Sequence, residues 1–234
     1  MHNLTPVVKN LLIITVLVFL ACQVAPQINP ILSGYYFLSP QFQPWQVLTH
    51  MFMHAGLAHI FFNMYALYIF GPALEQRFGG KRFLFYYLSC GVGAFILHQG
   101  INHIEIQNAI NNVSASRFEY LLENAAQFFE SESRVTKSEA TILEGYFTRM
   151  VGASGAVFGI LLAFGMLFSN VQLQLLFPPI PLKAKWFVLI YGGIELILAL
   201  RNAPNDNVAH YAHLGGMLFG YIILKVWQKQ GTLN

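Results

Sequence analysis

Ser154 stands between glycines in Gly152-Ala153-Ser154-Gly155, and His213 stands ahead of glycines in Ala212-His213-Leu214-Gly215-Gly216, with Gly220 beyond. A serine hydroxyl is a weak nucleophile until a base takes its proton, and a neutral imidazole is the usual base, so the pair suits acyl transfer. That chemistry also needs donors for an oxyanion. His59 and Asn63 are four residues apart, hence on one helical face, and both side chains can donate hydrogen bonds. The free N–H groups of a helix starting near Ser154, with the positive end of its dipole, would add to the hole. One such donor is worth about 3 kcal/mol of transition-state stabilisation. No aspartate lies near these motifs to orient the histidine, so a Ser/His dyad is expected.

Each of these residues has a second reading. Gly152-Ala153-Ser154-Gly155 suits a helix crossing as well as it suits a nucleophile. His59 and His213 could be structural hydrogen-bonding groups, and Asn63 could bridge helices. His210 competes with His213 as base, three residues earlier on nearly the same face. Gly216 and Gly220, at i+3 and i+7 from His213, favour His213 and leave His210 nearer the surface. Glu195 could serve a transporter as a proton relay, but the chain shows no partner charge at similar depth, which favours a protonated or water-contacting structural role. A metal site built from His50, His54, His59, His210 and His213 is disfavoured, because no HExxH occurs and the carboxylates that often complete such sites are missing.

The elements that position these groups follow from composition. Of 234 residues, 56% are hydrophobic and 10% charged, a balance that suits an all-α polytopic membrane protein better than a soluble domain. Six apolar segments can span a bilayer: Leu11 to Ala25, Ala55 to Leu74, Phe83 to His98, Val151 to Phe168, Trp186 to Leu200 and Val208 to Trp227. The first has only Lys9 ahead of it and no small-residue cleavage site leading to a soluble domain, so it reads as a span and not a cleaved signal peptide. Residues 1–234 form one membrane domain, a six-helix bundle, with residues 99–150 as a helical extramembrane insertion between helices three and four. Cys22 and Cys90 lie in apolar runs and act as small hydrophobes. The net charge of +3 is spread along the chain and is no nucleic-acid signal.

Basic residues set the orientation. With the N-terminus in the cytoplasm, that side receives Lys9, Arg77, Lys81, Arg82, Lys183, Lys185, Lys225 and Lys229. The other side keeps Arg117, Arg134, Lys137, Arg149 and Arg201, most of them in the insertion. Both termini are therefore expected in the cytoplasm. Spans two, four and six then all start on the outer side, which brings His59, Asn63, Ser154 and His213 to one level. The small-residue series Gly155, Gly159 and Ala163 on span four, and Gly216 and Gly220 on span six, would let the two backbones approach closely.

Two loops add detail. From Pro26 to Ala58 no Lys, Arg, Asp or Glu occurs, yet Tyr35, Tyr36, Phe37, Phe42, Trp45 and Phe52 do, a composition suited to the membrane interface or to packing on helix ends. In the insertion, Ser116 to Glu119 and Thr136 to Glu139 match capping boxes, predicting two short helices, the first with an apolar stripe of Phe118, Leu121, Leu122, Ala125 and Phe129. The insertion leads directly into Ser154. It reads either as a cover for the site or as a solvated hairpin.

The set His59-Ile60-Phe61-Phe62-Asn63, Gly152-Ala153-Ser154-Gly155, and Ala212-His213 with Gly216 and Gly220, in this order on spans two, four and six, resembles the rhomboid intramembrane serine proteases. Pro44-Trp45-Gln46, Phe52-Met53-His54, Leu74-Glu75 and Gly79 extend the resemblance over nearly the whole chain. It implies Ser154 as nucleophile, His213 as general base, and His59 and Asn63 as oxyanion stabilisers. It also implies substrates that are membrane proteins cut in or near a transmembrane segment, no metal or cofactor, a partly embedded first loop, and a bacterial cytoplasmic membrane with the site toward its outer side. Inactive relatives have typically lost the serine or the histidine, and both are present here. One departure is Gln46, where the family often has arginine, so the anchoring of the first loop is expected to differ.

Overall fold

The computed structural model describes residues 4–130, 135–174, 180–201 and 209–233. Val208 and Arg134, which entered the expectations above, lie outside these residues. In chain order the helices are α1 (Pro6–Val24), α2 (Asn29–Leu32), α3 (Gln46–Thr49), α4 (Leu57–Phe78), α5 (Gly80–Ile110), α6 (Ala115–Glu123), α7 (Ala125–Glu130), α8 (Lys137–Phe147), α9 (Ser154–Leu167), α10 (Ala184–Arg201) and α11 (His210–Lys229). A small antiparallel pair, β1 (Gln172–Gln174) with β2 (Pro181–Lys183), joins α9 to α10.

The burial pattern is that of a protein whose outer solvent is apolar. On α1 the buried positions Val8, Leu11, Thr15, Phe19 and Cys22 follow a helical stripe, while Ile13, Ile14, Leu17 and Leu20 are exposed. On α10 the polar Glu195 is buried, while Leu189, Ile190, Ile194 and Ile197 face out. Helices apolar all round belong in lipid. Three of them, α1, α4 and α5, are long and apolar enough to cross a membrane. The central helix is α9, only 14 residues long and buried over most of its length.

Glu75 on α4 ties the bundle at α1. Its carboxylate accepts from the N–H groups of Val7 (3.0 Å) and Val8 (2.8 Å), two donors that a helix start leaves without partners. Gly79, at φ 79°, then turns the chain from α4 into α5.

The helix that carries the third apolar segment does not end at His98. Helix α5 continues to Ile110, so its 31 residues, about 46 Å, carry it well past the apolar stretch and into the polar segment. After α5, the described part of residues 99–150 holds three short helices, α6, α7 and α8, where two were expected. The first is capped by Ser114, which accepts from Arg117 N–H at 3.3 Å, and not by Ser116. It ends at Asn124, so Phe129 falls on α7 and is exposed, apart from the stripe that buries Leu121. At Thr136 both capping-box bonds are present.

Glu139 closes that box and also accepts from Arg117 Nε at 2.6 Å, joining α6 to α8. The Arg117 bond, with the Thr136 N–H, holds the Glu139 carboxyl below its ordinary range. A depressed carboxylate stabilises above its unfolded pKa and loses that contribution as pH falls through its folded value. We expect the insertion to loosen below about pH 4, read as faster proteolytic nicking between α6 and α8 by an acid-active protease, and Glu139→Gln to be nicked at a rate that no longer changes over that range.

Loop one is held from within. Gln46 is fully buried; its Nε2 donates to the carbonyls of Gln41 (3.1 Å), Pro30 (3.3 Å) and Ile31 (3.4 Å), and its Oε1 accepts from Gln43 N–H (3.1 Å). Trp45 Nε1 donates to Ile31 O at 2.9 Å. An amide thus gathers the loop carbonyls at this position. Tyr36 leaves the loop to pack with Ile106, Leu121, Ile142 and Tyr146, and its hydroxyl meets His103 Nδ1 at 2.6 Å. Helices α6 and α8 are accordingly packed on extended α5 and on loop one.

Candidate active site

Gly152 precedes α9 at φ 129°, a conformation that side chains rarely adopt. A Cβ there would lie 2.8 Å from His59 Nε2 and 3.6 Å from Ser154 Oγ, so glycine keeps open the space between an imidazole and a hydroxyl. Its N–H is fixed by the His50 carbonyl at 2.9 Å. Helix α9 then starts at Ser154, and Val157 N–H bonds to Ala153 O at 2.9 Å. The N–H groups of Ser154, Gly155 and Ala156 consequently have no acceptor within the helix.

Ser154 Oγ and His213 Nε2 are 2.8 Å apart, 59 residues apart in sequence. Phe158, one turn after the serine, stacks on the His213 ring with centroids 4.2 Å apart and planes 9° from parallel. Sequence reading did not single out Phe158; its signal was the i+4 spacing from Ser154.

Behind the ring, His213 Nδ1 is 2.9 Å from Glu195 Oε2, and His210 Nδ1 is 2.6 Å from the same oxygen. Glu195 is not without partners, because α10 packs against α11 with this carboxylate facing two histidines one turn apart. His210 does not sit nearer the surface: it is 7% exposed, against 8% for His213. The missing-carboxylate objection to a metal also fails, since Glu195, His210 and His213 offer ligand atoms within 4.8 Å of one another.

On α4, Ala55 N–H donates to His59 Nδ1 at 3.4 Å, which leaves the proton on Nε2, the nitrogen beside Gly152. His54 meets the His59 ring edge-on at 4.9 Å. Burial, reinforced by the neighbouring His59, lowers His54 to about 4, so it packs as a neutral ring. Asn63 Nδ2 donates to the His59 carbonyl at 3.0 Å, which holds its amide one turn along the same face. Ser154, His213 and His59 thus converge, and Asn63 stands behind His59.

Glycines set the spacing. A Cβ on Gly216 would land on the backbone carbonyl of Gly155, one on Gly159 would meet Cys90 and the Gly216 carbonyl, and one on Gly220 would meet Tyr86 and Cys90. Tyr86 OH also donates to Gly159 O at 2.8 Å, joining α5 to the interior of α9. The result is a three-helix contact, α5, α9 and α11, directly below the serine and histidine.

The Rhomboid domain profile matches residues 41–229. Similar proteins include an uncharacterized mitochondrial rhomboid protein of Schizosaccharomyces pombe, 26% identical over 80% of this chain and 52% of its own length. Rhomboid protease AarA of Providencia stuartii is 26% identical over 76% of this chain and 54% of its own length. Rhomboid protease GlpG of Klebsiella pneumoniae is 33% identical over 42% of this chain and 37% of its own length. The chain spans about half the length of the first two relatives.

Proposed function

The chain belongs to the rhomboid family, and from that premise we propose that it is an intramembrane serine endopeptidase acting on transmembrane proteins in or near their membrane-spanning segments. The observation that carries this reading is the 2.8 Å contact between Ser154 Oγ and His213 Nε2 at the start of a short, buried helix. Ser154 Oγ attacks the scissile carbonyl carbon and its proton passes to His213 Nε2. The carbonyl electron pair moves to oxygen, where His59 Nε2–H and the N–H groups opening α9 donate to it, with Asn63 supporting that face. Collapse expels the amine, which takes the proton from Nε2, and water repeats the sequence on the acyl-enzyme.

Helix α9 supports a site inside the bilayer. Its 14 residues give about 21 Å, short of the roughly 30 Å hydrocarbon core. With one end at the cytoplasmic face, Ser154 lies below the opposite surface, reached by water from that side. We assign six spans to α1, α4, α5, α9, α10 and α11, both termini to the cytoplasm, and the segment from residue 99 to 150 to an insertion on the outer side of a single domain. Exposed Phe37, Leu38, Trp45 and Leu48 fit loop one to the membrane interface.

A fluorophosphonate probe is expected to label the detergent-purified protein, with peptide mapping placing the adduct on Ser154, and labelling is expected to survive strong chelation. No adduct, or one elsewhere, overturns the nucleophile. Loss on chelation restored by zinc supports a metal centre at Glu195, His210 and His213 instead.

A further inference from the structure

Glu195 is a buried carboxylate on a helix whose other faces are apolar, and serine–histidine chemistry written with two residues gives it no task. We propose that Glu195 is a positioning residue for the base, making Ser154, His213 and Glu195 a three-membered relay with His210 as second holder of the carboxylate. The inference rests on the reading of Ser154 and His213 as nucleophile and base. An imidazole acts as base at one nitrogen only if the proton sits on the other. Glu195 Oε2 lies 2.9 Å from His213 Nδ1 while Ser154 Oγ lies 2.8 Å from Nε2, on opposite sides of one ring. An ionised carboxylate only accepts, so Nδ1 carries the proton and Nε2 is left to accept from the serine.

The ring has two kinds of freedom to lose. Stacking on Phe158, at 4.2 Å and 9°, fixes its plane but leaves rotation within that plane. The Nδ1 bond stops that rotation. When the serine proton reaches Nε2, the ring becomes an imidazolium, and Glu195 faces the new charge without taking a proton itself. His210 Nδ1, 2.6 Å from the same oxygen, aims the carboxylate from one turn earlier on α11. A simple tie between α10 and α11 would be complete with His210 alone; the bond to His213 on the side opposite Ser154 is what links Glu195 to the reaction.

The test is Glu195→Gln, which keeps shape and removes charge. The expected result is a kcat for a transmembrane substrate lowered roughly hundred- to ten-thousand-fold, KM little changed, fluorophosphonate labelling slowed in parallel, and Glu195→Asp recovering part of the rate. A Glu195→Gln protein with kcat within about threefold of wild type overturns the proposal, whatever its thermal midpoint, because a structural tie moves the midpoint and not kcat. Absence of labelling in the wild type strikes the reading of Ser154, whereas normal labelling there with unslowed Glu195→Gln strikes this proposal alone. If Glu195→Gln does not fold, the wild-type protein still decides. A far-downfield imidazole N–H proton resonance, lost in His213→Ala and kept in His210→Ala, is expected, and its absence overturns the bond.

Discussion

His213→Ala is expected to lower cleavage of a transmembrane substrate by roughly four to six orders of magnitude, while His210→Ala leaves it within about tenfold. The two histidines are three residues apart on α11, equally buried, and bonded to the same carboxylate oxygen. Only one reaches the serine. His213 Nε2 is 2.8 Å from Ser154 Oγ, so on the proposed mechanism its removal leaves a hydroxyl with no base and an amine leaving group with no acid. Removing His210 takes one donor from Glu195 and leaves the other, a change on the scale of one hydrogen bond, about 1 kcal/mol. Groups that act as a unit are not additive, so the double variant Ser154→Ala/His213→Ala should be no slower than either single one. Rates measured on monodisperse protein in one detergent check this. An active His213→Ala beside an inactive His210→Ala would make His210 the base.

The expected pairing of Ser154 with His213 was legible because both sit at the start of apolar runs and both are followed by glycines at helical spacing. Charge counting then brought them to one depth, and depth with spacing is enough to suggest a contact between two helices. The rotation of a third helix is not encoded in that way. Glu195 looked solitary because its partners lie on α11, and only the packing of α10 against α11 turns the carboxylate toward them. The true length of α5 was hidden for another reason. Hydropathy reports where lipid ends, not where hydrogen-bonded turns end, and the polar side chains that enter from Gln99 onward, among them Asn102, Glu105, Gln107 and Asn108, stand on a helix that runs through Ile110. At the start of α6 two serines competed for the cap. Ser116 has the acidic residue three positions on, but Ser114 makes the bond to a backbone N–H, which needs no acid. Gln46 was visible as a departure from arginine, but its role depended on carbonyls of residues 30, 31 and 41 that come together only in the folded loop.

Gly216→Ala is expected to cost at least about a hundredfold in cleavage rate without touching a reacting atom. Its added Cβ would fall on the carbonyl of Gly155, backbone that cannot rotate away as a side chain can. The strain is relieved only by moving α11 from α9. Those two helices carry His213 and Ser154, so any separation lengthens the 2.8 Å contact on which the proposed proton transfer depends. Overpacking of this kind also costs about 1–3 kcal/mol of stability, so the thermal midpoint should fall as well. Gly193→Ala is the control: it lies in α10, a Cβ there meets nothing within 4 Å, and alanine favours a helix by about 1 kcal/mol over glycine. It should keep full activity and melt no earlier than wild type. If Gly216→Ala instead lowers the midpoint while the surviving folded enzyme turns over normally, close approach at Gly216 serves only to hold the bundle together. If it loses activity beyond what its lower midpoint explains, the same close approach sets the reach of the base to the nucleophile.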